Sequence, residues 1–375
     1  METKMTYKGS GVNYEAMDPF KLLCQKAGLE TAHTLTRFPG VKEYEQSRGE
    51  SAYLIELPDF FLAHVEEGLG TKNLVADAML GEERSYYDAI ARDTVAMIVN
   101  DMITLGALPL SVAMHLAVGD SSWFDNDKRI KDLVDGWKKA CILSRCAWGG
   151  GETPTLKDII YPDTAVLSGS AMGIIWDKKN LIDGSRIKHG DQIIFFSSSG
   201  VHANGLTLAR KITEKLPEGY SSKATRGGSS YGELLLEPTV IYTPLIDDCQ
   251  KMGIDIHYAV HVTGHGWRKL MRANGSFSYV ITDLPPLPTV FSFLQEHGGI
   301  EDREMYGTYN MGVGFALYVS KSDVPRVFDL HASAGYKEKY GMEIRIGGHI
   351  EQSFEKKVII QPKNLEFSSE DLKVR

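Results

Sequence analysis

The chain is short of cysteine, of long apolar runs and of positive charge, and each shortage removes a class of function. Its four cysteines, Cys24, Cys141, Cys146 and Cys249, include no CxxC pair. That is too sparse for a disulfide framework or a zinc knuckle in 375 residues and fits reduced thiols in a cytoplasmic protein. The most apolar stretch, 94–118, is interrupted by Asn100, Asp101 and Pro109, so it reads as buried core and no membrane partner is expected. Lys and Arg number 41 against 49 Asp and Glu, a formal charge of −8. A nucleic-acid binder normally carries a basic face, so no nucleic-acid partner is expected either. The opening residues lack a basic segment followed by an apolar one, and no secretory signal is read there. No GxxxxGK[ST] string occurs, which excludes a Walker A loop.

What is present describes an ordinary globular chain, 43% apolar and 24% charged. Its length exceeds what one core usually serves, so two domains are expected. Apolar runs predict strands over 51–57, 60–65, 111–118, 164–175, 192–197, 279–283 and 312–320. Helical periodicity covers 86–105, 127–145, 205–215, 231–252, 267–273, 290–297 and 321–334. The irregular alternation predicts an α/β fold of mixed α+β type. A polar, glycine-containing segment at 176–191 places the domain boundary, giving 1–180, 181–353 and a surface strand with a loose tail over 354–375. The stretch 217–230, with Gly219, Gly227, Gly228 and four serines, reads as an exposed loop or flap.

Five segments could carry chemistry. Glu67-Gly68-Leu69-Gly70-Thr71-Lys72 follows an apolar strand; glycines there permit close backbone approach to a ligand, and the lysine offers a charge to phosphate. A plain strand-to-loop turn is the alternative. In the helix of 86–105, Asp93 and Asn100 share one face, and Asp101 stands near the C-terminus, where a carboxylate opposes the helix dipole. Such a group calls for a cation, and magnesium takes few protein carboxylates. A helix cap at Asp93 and an exposed Asp101 would be the structural explanation. Gly149-Gly150-Gly151-Glu152-Thr153 could wrap a phosphate or sugar, with Glu152 on a metal, or be a flexible loop. Ser198-Ser199-Gly200-Val201-His202-Ala203-Asn204 feeds a helix N-terminus, which attracts anions, with His202 and Asn204 placed for hydrogen bonding or proton transfer. His257 to Gly266 holds three histidines in alternation without cysteine, a poor zinc pattern.

In this order the segments, together with LLEPTVIY (235–242) and EMYGTYNMGVG (304–314), resemble the aminoimidazole ribonucleotide synthetases of the PurM superfamily over about 7–348. The resemblance implies a two-domain PurM-like fold whose N-terminal strands join those of a second subunit in a dimeric barrel. It further implies a homodimer, ATP and Mg²⁺ as cofactors, and a small phosphoribosyl substrate whose amide oxygen is phosphorylated before ring closure by a ligase reaction. Carried onto this chain, metal ligands would be Glu67, Asp93 and Asp101. ATP would meet Gly68, Gly70, Thr71, Lys72, Asn100, Gly149, Gly150, Gly151, Glu152 and Thr153, and His202 and Asn204 would be catalytic. The chain departs from the family pattern at Glu67, where aspartate is usual, at Gly9, Ser10 and Asn13, at 154–157, and at His265, where glycine is usual. Another ATP-dependent kinase or synthetase of the superfamily, or a non-catalytic nucleotide-binding paralogue, are the alternatives.

Overall fold

A computed structural model describes residues 5–82, 84–224 and 228–372. Gly227 of the expected flap and the last three residues of the tail lie outside them. The first sheet contains β1 (Lys42–Glu43), β2 (Tyr53–Glu56), β3 (Phe61–Gly68), β4 (Leu108–Val118), β5 (Ala147–Glu152) and β6 (Ala165–Ile175), in the order β1-β2-β3-β6-β4-β5. The second contains β7 (Gln192–Ser197), β8 (Ile256–His261), β9 (Phe277–Ile281), β10 (Val313–Val319), β11 (Ile344–Gln352), β12 (Lys357–Ile360) and β13 (Leu365–Ser368), in the order β13-β12-β9-β11-β7-β10-β8. Pairing is antiparallel except for β4 with β5 and β12 with β9.

The helices are α1 (Tyr14–Thr31), α2 (Asn73–Ala78), α3 (Tyr87–Ile103), α4 (Asp127–Leu143), α5 (Leu206–Ile212), α6 (Tyr231–Leu235), α7 (Thr243–Lys251), α8 (Thr289–Gly298), α9 (Asp302–Thr308), α10 (Val324–Ala334) and α11 (Tyr336–Tyr340). α3 is the helix that organises the site. It is buried on every side, as a helix apolar all round must be, and lies between the first sheet and the second domain. α4 crosses it closely because Gly136 presents no side chain: a Cβ there would stand 2.5 Å from the Asp88 carbonyl oxygen. The other face of the first sheet carries no helix and leaves Leu110, Val166 and Met172 exposed.

Three expectations change. The helix predicted over 231–252 is two helices, because Pro238 cannot donate a ladder hydrogen bond and Pro244 begins α7. Gly149 to Glu152 belong to a strand at the edge of the first sheet rather than a loop. The region after 353 is not a single surface strand, since β12 and β13 both join the second sheet. α1 has no counterpart in the periodicity reading: its mixed polar and apolar residues give only a weak amphipathic signal, and Pro19 interrupts it.

Candidate active site

The alternation of β3 sends neighbouring glutamates to opposite faces. Glu66 faces outward, and Glu67 faces the C-terminal end of α3, where Asp101 stands. Glu67 shares a hydrogen bond with Asp101, and burial together with that neighbouring carboxylate pushes its pKa up to about 8. Burial also works against the charge on Asp101. The hydrogen bond from His261 and the ammonium of Lys269 outweigh it and hold the Asp101 carboxyl below the usual range. His261 Nδ1 lies 2.6 Å from Asp101 Oδ1, so the ionised carboxylate accepts from the ring N–H. Lys269 donates to Thr263 Oγ1 and is itself buried, which pulls its pKa down despite Asp101 and Glu67.

These groups line a cavity of about 410 Å³ closed by residues from three directions. α1 contributes Phe20, Lys21, Cys24 and Gln25; the chain before β2 contributes Gly49, Glu50 and Ser51; and the second domain contributes His265, Lys269 and Arg272. Arg272 is fixed by donating to the Gly49 carbonyl at 2.6 Å and to Ser51 Oγ at 2.7 Å. Three acidic side chains, Glu50, Glu67 and Asp101, beside Lys21, Lys269 and Arg272 form a lining whose chemistry suits an anion accompanied by a divalent metal. A magnesium ion fits in a specific sense: the paired carboxylates hold the Glu67 pKa up to about 8 even with Lys269 nearby, and a dication between them would stabilise both in ionised form. Glu67 and Asp101 are the residues that would hold it. Among the described residues there is no cluster of three or more His, Cys, Asp and Glu suited to a metal, so water and phosphate oxygens would complete the shell.

The remaining residues singled out from the sequence divide between the interior and the outer face. Asp93 and Lys72 form an ion pair at 2.7 Å with neither side chain exposed. Asp93 also accepts from the Thr239 amide at 2.7 Å, and Lys72 donates to the Glu237 carbonyl at 2.8 Å. In this arrangement Asp93 is not free for a metal, nor Lys72 for a phosphate, because each neutralises the other inside the protein. Asn100 is likewise committed, donating to the Val240 carbonyl and accepting from the Tyr242 amide. His202 is fully buried, and its Nε2 accepts from the Ser199 amide at 3.3 Å. Burial and the neighbouring His261 hold its ring neutral, and His202 is not among the residues that line the cavity. Asn204 accepts from the Gly264 amide at 3.1 Å and so ties its loop to the turn that precedes Lys269.

Gly68 ends β3, and Gly70 takes a positive φ of 77° that turns the chain toward Thr71, whose hydroxyl is buried with no hydrogen-bond partner among the described residues. Two of the three glycines of β5, Gly149 and Gly151, have a packing reason, while Gly150 faces open space at a positive φ of 142°. A Cβ at Gly149 would collide with Ser111 Oγ, and one at Gly151 would lie 2.3 Å from the Met114 carbonyl. Glu152 instead borders a separate hollow of about 440 Å³ on the outer face, with Glu66, His115, Ser168 and Ser170; Thr153 is exposed just beyond β5. Lys269 and Arg272 escaped the sequence reading. Their only signal is a pair of basic residues spaced three apart on a short helical turn, which is equally the signature of a solvated face.

The two sheets, the buried connecting helix and the acid–cation cavity between them define a two-domain α/β fold shared with several nucleotide-using proteins. The hydrogenase maturation protein in a HypE–HypF complex superposes with a TM-score of 0.59 at 16% identity, covering 85% of this chain and 92% of that one. A thiamine monophosphate kinase from Aquifex aeolicus, solved with AMPPCP and TMP, gives 0.56 at 14% identity over 85% and 90%. Closer relationships are visible in sequence. The chain matches the models for AIR synthase related protein, N-terminal domain, over residues 49–175 and C-terminal domain over 188–340. It is 32% identical over 365 residues to a phosphoribosylformylglycinamidine cyclo-ligase of Carboxydothermus hydrogenoformans, spanning 92% of this chain and 97% of that one. It is 34% identical over 303 residues to the cyclo-ligase of Methanocaldococcus jannaschii, spanning 80% and 81%. The chain belongs to the AIR synthase related family.

Proposed function

We propose that this protein is an ATP- and magnesium-dependent ligase that closes the imidazole ring of phosphoribosylformylglycinamidine, giving aminoimidazole ribonucleotide, ADP and phosphate. The observation that carries the reading is likeness to cyclo-ligases at about one-third identity along nearly the whole of both chains. The cavity supports it chemically. ATP would transfer its terminal phosphoryl group to the amide oxygen of the substrate, and a nitrogen of the same molecule would then attack that carbon and expel phosphate. Little covalent work falls to the protein in such a transfer; positioning and neutralisation of charge dominate. Lys269 and Arg272 would attract the phosphates, Glu67 and Asp101 would hold the cation that shields them, and His261 keeps Asp101 oriented. The magnesium supplies charge neutralisation at the phosphoryl oxygens.

We further infer a homodimer assembled through the uncovered face of the first sheet, where Leu110, Val166 and Met172 are exposed, and a cytoplasmic location. No helix among the described residues is long and apolar enough to cross a membrane. Incubation of purified protein with phosphoribosylformylglycinamidine, ATP and magnesium tests the reading. Substrate-dependent release of ADP with appearance of aminoimidazole ribonucleotide is expected; ADP release that ignores the substrate overturns it.

A further inference from the structure

His265 holds a backbone conformation that disfavours any residue bearing a side chain. Its φ is +70°, and the following Gly266 is at +53°. For Gly266 the reason is close packing, since a Cβ would stand 2.3 Å from the Tyr306 carbonyl oxygen. At His265 a glycine would meet the same turn without the strain. Strained residues persist where the surroundings impose them, and they gather at ligand sites. The imidazole lines the cavity that holds Glu67, Asp101, Lys269 and Arg272, on the wall facing α1. Burial and four cations around it, Arg268, Lys269, Lys21 and Arg272, push its pKa down to about 3, so the ring is neutral. A neutral imidazole among cations cannot repel them, and an imidazole N–H is a donor of the kind taken by an anion that those cations attract.

We propose that His265 is a specificity-determining residue of this site, reaching from the Thr263–Gly266 turn to hydrogen-bond the phosphate ester of the ligand that Lys269 and Arg272 draw in. The inference rests on the proposed function in taking that ligand to be phosphorylated. Two sources share the chemistry, the phosphates of the nucleotide and the 5-phosphate of the ribosyl substrate, and the probes separate them.

Binding of ADP with magnesium, and of ribose 5-phosphate, is measured by calorimetry on the full chain and on His265→Gly. The variant is expected to bind one probe about tenfold more weakly, the effect of losing one hydrogen bond to a charged group. Its melting temperature stays within a few degrees, because relief of strain offsets the added freedom of the unfolded chain. A loss confined to ribose 5-phosphate assigns His265 to the acceptor, and one confined to ADP assigns it to the nucleotide. His265→Asn, which tolerates a positive φ and keeps an N–H donor, is expected within about threefold of wild type. Affinities of His265→Gly within twofold of wild type for both probes overturn the proposal. If that variant does not melt cooperatively, His265→Asn and His265→Leu replace it, similar in size with and without a donor; equal affinities then overturn it. Ring closure by the wild type is followed alongside. Its absence removes the proposed function yet leaves the affinity ratios, by which His265 is judged, intact; a wild type that binds neither probe removes both.

Discussion

At the scale of single residues, acidic side chains adjacent or nearly so in sequence have opposite duties. Asp93 is consumed by Lys72 inside the protein, whereas Asp101, on the next turns of the same helix, faces the cavity. Replacing Lys72 with Met strands the Asp93 carboxylate in the interior and is expected to cost about 3–5 kcal/mol, read from chemical denaturation. If Lys72 served only a phosphate, stability would hardly change. Asp101→Asn removes charge from the cavity and the strong acceptor of His261; nucleotide affinity in the presence of magnesium should fall about 10- to 100-fold with little effect on affinity without the metal. A titration showing equal magnesium dependence in both proteins would remove Asp101 from the metal. The identity of these residues was legible in the sequence, because a carboxylate in an apolar helix demands a partner. Which partner was not legible: Thr239, His261 and Lys269 come from segments more than 130 residues away.

Among the elements, long periodic ones were readable and glycine-rich ones were not. β7 runs over 192–197 and α3 over 87–103, within two residues of the pattern-based spans, since each repeats its apolar period without interruption. Gly149 to Gly151 carry no period at all, and the same absence of side chains that suits a ligand loop lets β5 lie against Ser111 and Met114. Sequence pattern alone does not separate those uses. Contact between helices has a similar origin in α4, where Gly136 lies against the backbone of Asp88. Gly136→Ala would ordinarily favour a helix. Here the methyl group has no room, and the variant is expected to be less stable by about 1–3 kcal/mol, as for other overpacked contacts; a thermal melt equal to or above wild type would show that α3 and α4 can separate at no cost.

For the whole molecule, the division into domains is one of topology, not of packing. One apolar cluster includes both Leu54 in the first sheet and Phe367 in the second, and a second cluster joins Ile103 of α3 to Ile194, Phe196 and Leu317 of the second sheet. Across the boundary Arg145, just beyond α4, donates to Asp248 at 2.6 Å and also pairs with Asp247, both on α7. Burial works to raise the pKa of Asp248, but its bonds from Arg145 and Tyr336 win and hold it below the ordinary carboxylate value. A lowered native pKa means that the unfolded chain binds the proton more readily. The contribution is therefore complete above about pH 4, the ordinary aspartate value, and disappears as pH falls through the native value. Asp248→Asn should flatten this part of the acid-denaturation curve and lower stability at pH 7 by the same modest amount, as expected for a partly exposed pair; an unchanged acid limb would exclude the clamp.

The position of α3 governs how the chain can be divided. Its buried polar groups Asp93, Asn100 and Asp101 each take a partner from residues 239–261, beyond the first sheet, and Asp93 has Lys72 besides. A fragment ending near residue 180 would keep the helix and the Lys72–Asp93 pair but lose the partners from 239–261, leaving the Asn100 amide and the Asp101 carboxylate without them on an apolar surface. Such a fragment is a poor candidate for separate expression, and a chain emerging from the ribosome would hold its first half unfinished until the second has been made.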